Sequence, residues 1–505
     1  MTLPDWLDPL FDAESMRAID RWAIEEQGVP SLDLMERAGE GLARLTEELV
    51  PEGRIAIVCG KGNNGGDGFV AGRLLRDGGR EVDLFCTAPL ASLKGDAQVN
   101  LERLPGDPPG DFAPGALASA VGVVDALLGT GVEGAPRDPE AAAIDAINAA
   151  ELTVVAADVP SGVNASTGGV AGAAVRASAT ATFHAAKVGL WIAPGKQHAG
   201  RVEVIDIGIP GGAPREADVG LLRDSVLGLI PRRHAGSTKF TEGAVLVCGG
   251  SPGLTGAPCL SAEAASRAGA GYVTACVPAS LEAIFEHRLL EVMTVGLDDD
   301  RGVLTKSSAP AVLERAERAQ ALVLGPGIGR GGEAQAFVRD LAARADLPLL
   351  LDADGLNAYA GRLSELAGRA QASVLTPHAG ELARLLEVES SAVDAARLER
   401  ARAASQTAAS FVLLKGDDTL IAAPDGRVAV SRGGAGALAT AGTGDVLSGV
   451  LGALLAKRMD PWEAACAAVV LHADAGRIAG ERQGTDSVIA RDVIDALPAA
   501  RARRS

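Results

Sequence analysis

The sequence predicts an α/β protein made of two three-layer α/β/α domains, each on a doubly wound, mainly parallel sheet. Three observations carry this. Apolar strand-like runs alternate with helix-like segments along both halves of the chain, the pattern of βα units. Most of those runs end in Gly-rich turns, and such sheets bind their ligands outside the carboxyl ends of strands. The 505 residues also exceed what a single core ordinarily supports. A Gly/Pro-rich polar stretch, GGAPREADVG, sets the boundary. Residues 1–220 and 221–505 are the expected domains.

The first half opens with two helices. Residues 12–27 place Met16, Ile19, Trp22 and Ala23 on one face, and Ser31 is suited to cap a helix over 31–49. Strands are expected at 54–60, 82–87, 122–131 (strand and loop), 153–162 and 202–210, and helices at 65–78 and 140–150. In the second half, strands or strand–loop segments are expected at 243–251, 272–278, 321–329, 348–357 and 373–381. A helix is expected over 255–271. Residues 411–431 read as strand, turn, strand, with the turn at Pro424-Asp425-Gly426. Further helices are expected near 461–480 and 487–497.

Composition narrows the function. A net charge of −18 argues against nucleic acid as a partner. Hydrophobic content is 47% but aromatic content only 3%, so the cores must be built from Ala, Val and Leu. Cys59, Cys86, Cys248, Cys259, Cys276 and Cys466 show no metal-binding spacing and mostly lie in apolar runs. Buried free thiols in a reducing compartment are the expectation. The acidic N-terminus MTLPDWLDPLFDAE is unlike a secretory signal. A cytoplasmic protein acting on small molecules is expected, with no membrane partner, and self-associating as a homo-oligomer.

Residues 433–456, GGAGALATAGTGDVLSGVLGALLA, contain one charged residue, Asp445. A glycine turn opening an apolar helix presents free N–H groups and a positive dipole end, an anion site. A carboxylate there is suited to act as a base, held ionised by the same field. The frequent Gly and Thr and the Asp argue against the alternative reading as a membrane span. In the first half, three loops converge on the sheet's carboxyl edge: Gly60–Gly68, Asp125 with Gly129–Ala135, and Asp158–Gly162. Asn64 and Ser161 add neutral oxygens to the acids. An isolated Asp at a strand end is more often a turn residue; three together point to a site.

GNNGGDG, VDALLGTG and DVPSGV resemble the NAD(P)H-hydrate epimerase family, over roughly 1–215. The resemblance implies a Rossmann-like domain. It implies substrate contacts at Asn63, Asn64, Gly65, Gly66 and Asp67, at Gly129, Thr130, Gly131, Val132, Glu133, Gly134 and Ala135, and at Asp158. It also implies a potassium ion held by Asn64, Asp125 and Ser161. The hydrate carries a hydroxyl beside the ring nitrogen; its loss leaves a nitrogen-stabilised cation to which water returns on either face. Asp158 is the expected catalytic carboxylate, stabilising the cation and moving the proton.

GGSPGLTGAP, GPGIG, LDADGLN, TPHAGE, KGDDT and TAGTGDVLSG, in that order, resemble the ribokinase-like ADP- or ATP-dependent NAD(P)H-hydrate dehydratases over nearly all of 230–500. The resemblance implies hydrate contacts at Ala257, Gly327, His378 and Asp445. It implies adenine-nucleotide contacts at Lys415, Gly416, Asp417, Asp418, Thr419 and Gly444, with ADP as the preferred nucleotide and Mg2+ accompanying it. Asp445 is then the base for phosphoryl transfer followed by elimination. Where the family often has His-Lys-Gly-x-x-Gly, this chain has Thr238-Lys239-Phe240-Thr241-Glu242-Gly243, keeping the Lys. Two other readings stand beside this one. The second half could be a small-alcohol kinase, and the first a non-catalytic nucleotide-binding module. A stable phosphorylated product would mark the kinase.

Overall fold

The computed structural model describes residues 3–503 apart from 114, 132 and 215. Val132, one of the expected contacts, therefore lies outside the described residues. The chain divides into two compact units, one running Pro9–Val219 and the other containing Gly220 onward together with Pro4–Asp8. A boundary at 220 alone would leave Pro4–Asp8 with the first unit. They belong instead to the second, because Trp6 packs on Trp462, with ring centroids 5.2 Å apart, and Asp8 pairs with Arg432 and with Arg223 at 3.6 Å.

In the first unit, seven strands among the described residues form one parallel sheet. Their spatial order is Gly110–Asp111, Val82–Cys86, Ile55–Cys59, Gly122–Ala126, Thr153–Ala157, Ala179–Phe183 and Arg201–Ile205. The chain lays down Ile55–Cys59, moves to one side, then crosses to Gly122–Ala126 on the other. That reversal opens a crevice between the carboxyl ends of these two strands. Ile55–Cys59 is buried throughout, so the run is apolar on both faces. The helix expected from residue 65 starts at Asn63 and runs to Asp77. Asn63–Asp67 is thus a first helical turn, not a free loop. The first helix spans Ala13–Arg21 and continues as a π-turn over Trp22–Glu26.

The second unit repeats the principle. From Phe411–Leu414 across to Met293–Leu297 the strands run parallel; Leu420–Ala422 and Val428–Val430 add an antiparallel hairpin. Here the reversal lies between Ala244–Cys248 and Ala321–Leu324. Helix Thr443–Ala456 packs on helix Gly256–Ala268 at very close range: a Cβ on Gly449 would lie 2.1 Å from the Ser261 carbonyl oxygen. Small residues let the backbones approach this far. All six cysteines are buried free thiols. Among the described residues no helix is long and apolar enough to cross a membrane.

Candidate active sites

In the first unit a cavity of about 830 Å³ opens at the strand reversal. Most of the expected contacts line it: Asn63, Asn64, Asp67, Gly129, Thr130, Gly131, Glu133, Gly134, Ala135 and Asp158. Gly65 and Gly66 lie behind that wall and set its spacing. A Cβ on Gly65 would come within 2.0 Å of the Gly60 carbonyl oxygen, and one on Gly66 within 2.7 Å of the Met35 side chain.

Asp158 follows the Thr153–Ala157 strand with φ +63, a left-handed conformation that costs a non-glycine residue energy. Its N–H donates to the Ala181 carbonyl at 2.7 Å. Three donors converge on Asp158 Oδ1: Lys187 Nζ at 2.6 Å, the Phe183 N–H at 3.2 Å and Thr182 Oγ1 at 3.4 Å. Lys187 is 1% exposed and also donates to the Phe183 carbonyl oxygen at 2.6 Å. Nothing in the sequence around it, HAAKVGLW, marks Lys187 as special; only the fold brings it to the aspartate. Asp67 is buried, and burial pushes its carboxyl well above the ordinary range, with Asp158 and Asp20 adding to the effect.

Asp125 and Ser161 meet behind the cavity wall, with Asn64 of the lining beside them. Asp125 is fully buried within strand Gly122–Ala126, next to Val123 and Val124. Ser161 Oγ donates to its Oδ1 at 2.6 Å and the Ser161 N–H to its Oδ2 at 2.8 Å. Asn64 Nδ2 joins through the Leu128 carbonyl oxygen at 3.1 Å, which also lies 3.2 Å from Ser161 Oγ. Burial pushes the Asp125 carboxyl up to about 6, and the Ser161 hydrogen bonds oppose that rise. No set of three or more His, Cys, Asp or Glu groups suited to a metal occurs among the described residues.

In the second unit, helix Thr443–Ala456 opens on Gly442 at φ +89 without a side-chain cap. The first N–H bonded back to Gly442 is that of Val446, so the Thr443–Asp445 N–H groups are available to an anion. A Cβ on Gly444 would sit 3.6 Å from Lys415 Nζ, which puts the lysine beside this cradle. Lys415 is tied to Asp352 Oδ1 at 3.0 Å. Asp352 in turn accepts from Ser448 Oγ at 2.6 Å and Thr376 Oγ1 at 2.8 Å. Burial alone would raise the Asp352 carboxyl, but Lys415, Ser448 and Thr376 outweigh it and hold it below the ordinary range. Asp352, Thr376 and Ser448 were not among the expected site residues, although LDADGLN, TPHAGE and TAGTGDVLSG contain them. The residue after Asp352, Ala353, sits at φ 50 and ψ −124, strain of the kind found at functional sites.

Asp445 departs from expectation. The helix end was expected to hold it ionised; instead its carboxyl is pushed up to about 7. Burial is the main cause, with Asp352, Asp354 and Glu381 adding repulsion that Lys415 only partly offsets. His378 is the N-cap of helix Ala379–Leu386, its Nδ1 accepting from the Gly380 N–H at 3.0 Å, while the His378 N–H donates to Glu381 Oε2 at 2.9 Å. The Asp418 carboxylate is 2.9 Å from Arg397 Nε in a buried pair, so its side chain turns inward under the loop. Thr419 Oγ1 closes the turn on the Gly416 carbonyl oxygen at 2.7 Å, and Asp417 Oδ1 receives the Gly434 N–H at 3.0 Å. Gly327 adopts φ +61, and Ala257 lies in the first turn of helix Gly256–Ala268, both at the strand reversal.

Comparison with known proteins accords with this geometry. The family model described as NAD(P)H-hydrate dehydratase matches residues 245–499, and that described as YjeF-related protein N-terminus matches 31–189. The bifunctional NAD(P)H-hydrate repair enzyme of Moorella thermoacetica is 40% identical over 97% of this chain and 96% of its own. The enzyme of the same name from Escherichia coli is 34% identical over 96% and 92%. A solved structure, the ADP/ATP-dependent NAD(P)H-hydrate dehydratase of Bacillus subtilis co-crystallised with ATP/Mg2+, is 28% identical with TM-score 0.47, covering 55% of this chain and 96% of that one. Two catalytic units in this order and full-length likeness to these relatives place the chain in the family of bifunctional NAD(P)H-hydrate repair enzymes.

Proposed function

We propose that the first unit interconverts the R and S epimers of hydrated NADH and NADPH, and that the second dehydrates the S form with ADP. The observation that carries the second half is the Asp445 carboxyl at an uncapped helix N-terminus beside Lys415. Asp445 takes the proton of the hydrate hydroxyl, and that oxygen attacks the terminal phosphoryl of the nucleotide. The N–H groups of Thr443 and Gly444 and the Lys415 ammonium balance charge on the moving group. The P–O bond to the nucleotide breaks and AMP leaves from ADP. The C–O bond of the phosphorylated hydrate then breaks with inorganic phosphate departing, and loss of a proton from the neighbouring ring carbon restores the ring double bond. Ala257, Gly327 and His378 are assigned to the hydrate, and Lys415 through Thr419 with Gly444 to the nucleotide. Mg2+ bound with the nucleotide phosphates would add positive charge at the transferred group beside Lys415.

In the first unit Asp158, backed by Lys187, faces the ring cation that forms when water is lost. Arg17, Lys61 and Arg137 line the same cavity and suit the substrate's phosphates. Asn64, Asp125 and Ser161 offer one carboxylate, one hydroxyl and one amide oxygen. That set fits a hard monovalent ion such as K+ and carries too little charge for a divalent one. Bound there, the ion would brace the Gly129 loop against the Asp158–Gly162 turn. We assign the protein to the cytoplasm, as a homo-oligomer acting on small nucleotides only.

The test is incubation of mixed NADH-hydrate epimers with ADP, ATP or neither, following the return of reduced-nicotinamide absorbance. Full recovery with ADP supports both activities. Recovery that stops at the S fraction removes the epimerase. A stable phosphorylated product without NADH would instead identify a kinase.

A further inference from the structure

Of the carboxyls that line the epimerase cavity, Asp20, Asp96 and Glu140 lie outside the expected motifs, and Asp20 is the one of these that feels the Asp158 charge. Asp20 lies in helix Ala13–Arg21, whose Met16 and Ile19 are buried. Met16, Arg17, Asp20 and Ile24 recur at helical spacing along the cavity wall, so this face of the helix closes the cavity over Asp158. Asp20 has no hydrogen-bond or ion-pair partner among the described residues, whereas Asp158 Oδ1 receives three donors. The two carboxyls thus stand in opposite environments. One is matched to donors as an anion; the other is bare and faces the space a substrate would fill. Burial pushes the Asp20 carboxyl up to about 6, the Asp158 charge adding and Lys187 opposing. The charged and titratable groups facing it are Asp67 from helix Asn63–Asp77, Asp158, Lys187, and Arg17 of its own helix.

Exchange of a hydroxyl between two faces of a ring requires an acid where water departs and a base where water arrives. We propose that Asp20 is the acid partner of Asp158 in epimerisation, an inference that rests on reading the first unit as an NAD(P)H-hydrate epimerase. The Asp20 carboxylic acid gives its proton to the departing hydroxyl. The C–O bond breaks, water leaves, and the ring nitrogen lone pair forms the C=N bond of the cation. Water then adds to the other face and its proton passes to the Asp158 carboxylate. Proton exchange with solvent restores both groups. In the reverse direction the roles reverse, and no other reactant is needed. Asp67 is the more buried carboxyl, at 7% exposure, and less able to exchange protons with the ring.

The experiment measures exchange of R-enriched NADH hydrate in the full chain without ADP, so that the second unit consumes nothing. Wild type, D20N, D20E and D158N are compared across pH, with cooperative thermal unfolding as the check on folding. D20N is expected to lose at least about 10²-fold in exchange, the scale of general acid catalysis. It should also lose the fall in rate above about pH 6 that is expected of wild type. D20E is expected to keep much of the rate with that limb displaced. If D20N exchanges like wild type, with the same pH limb, while D158N is dead, Asp20 is not the acid and the epimerase reading stands. If D158N also matches wild type, Asp158 leaves the mechanism as well; only wild-type exchange no faster than the uncatalysed rate would overturn the epimerase reading itself. Should D20N not fold, D20E decides: a displaced limb supports the assignment and an unchanged limb overturns it.

Discussion

Lys187 Nζ lies 2.6 Å from Asp158 Oδ1 with only 1% of the lysine exposed. A buried ammonium is tolerated only where a carboxylate and further acceptors take its hydrogens, and the Phe183 carbonyl oxygen supplies one. The pair ties the end of one strand to the loop after another and orients the aspartate that lines the cavity. Lys187→Met is therefore expected to cost about 3–5 kcal/mol of stability, the usual penalty for orphaning one partner of a buried pair. It should also lower epimer exchange, while Lys187→Arg recovers part of the stability. Urea unfolding with the exchange assay checks both.

Asp445→Asn should abolish nucleotide-driven dehydration, by about 10²–10⁴-fold, because an amide cannot accept the hydroxyl proton. In the wild type the base must be ionised, so dehydration should rise with pH through about 7. A dehydration rate flat from pH 5 to 9 would contradict the role.

The same carboxyl carries a stability cost of opposite sense. Its folded pKa of about 7 lies above the 3.8 of an ordinary aspartate, so the folded state holds this proton where the unfolded chain releases it. Stability from this group therefore falls as pH rises from about 4 to 7. Asp445→Asn removes the penalty and is expected to stabilise the protein at pH 8 by about 2–4 kcal/mol, with little difference near pH 4. Denaturant unfolding at the two pH values checks the sign.

Ser448→Ala leaves Asp352 Oδ2 without the hydroxyl that donates to it at 2.6 Å. Loss of a buried hydrogen bond to a charged acceptor should cost about 1–3 kcal/mol. Because Asp352 holds Lys415, the KM for nucleotide is expected to rise more than kcat falls.

Gly449→Ala tests the helix pair. In an exposed helix the change would stabilise by about 1 kcal/mol. Here the new Cβ would lie 2.1 Å from the Ser261 carbonyl oxygen, a backbone atom that cannot step aside. The expected result is a loss of about 1–3 kcal/mol or more, read from the thermal midpoint.

Strand runs such as Ile55–Cys59 and Ala244–Cys248, and the glycine turns that follow them, were legible because they are local: the chain conformation they need depends on residues within a few positions. Asp158 and Asp445 stood out for the same reason, each embedded in a short pattern of turn-forming neighbours. Lys187 and Asp20 carry no such pattern, and Asp352 and Ser448 lie inside LDADGLN and TAGTGDVLSG without anything local that pairs them. Lys187 is an ordinary lysine until two parallel strands bring Phe183 and Asp158 beside it, and Ser448 meets Asp352 across 96 residues of chain. The Asp445 carboxyl shows the limit most clearly. Its helix position reads directly from Gly442–Gly444, but its affinity for a proton follows from burial and from Asp352, Asp354 and Glu381, which belong to other strands and helices. Desolvation and charge–charge coupling act through space, so only the packed chain decides them.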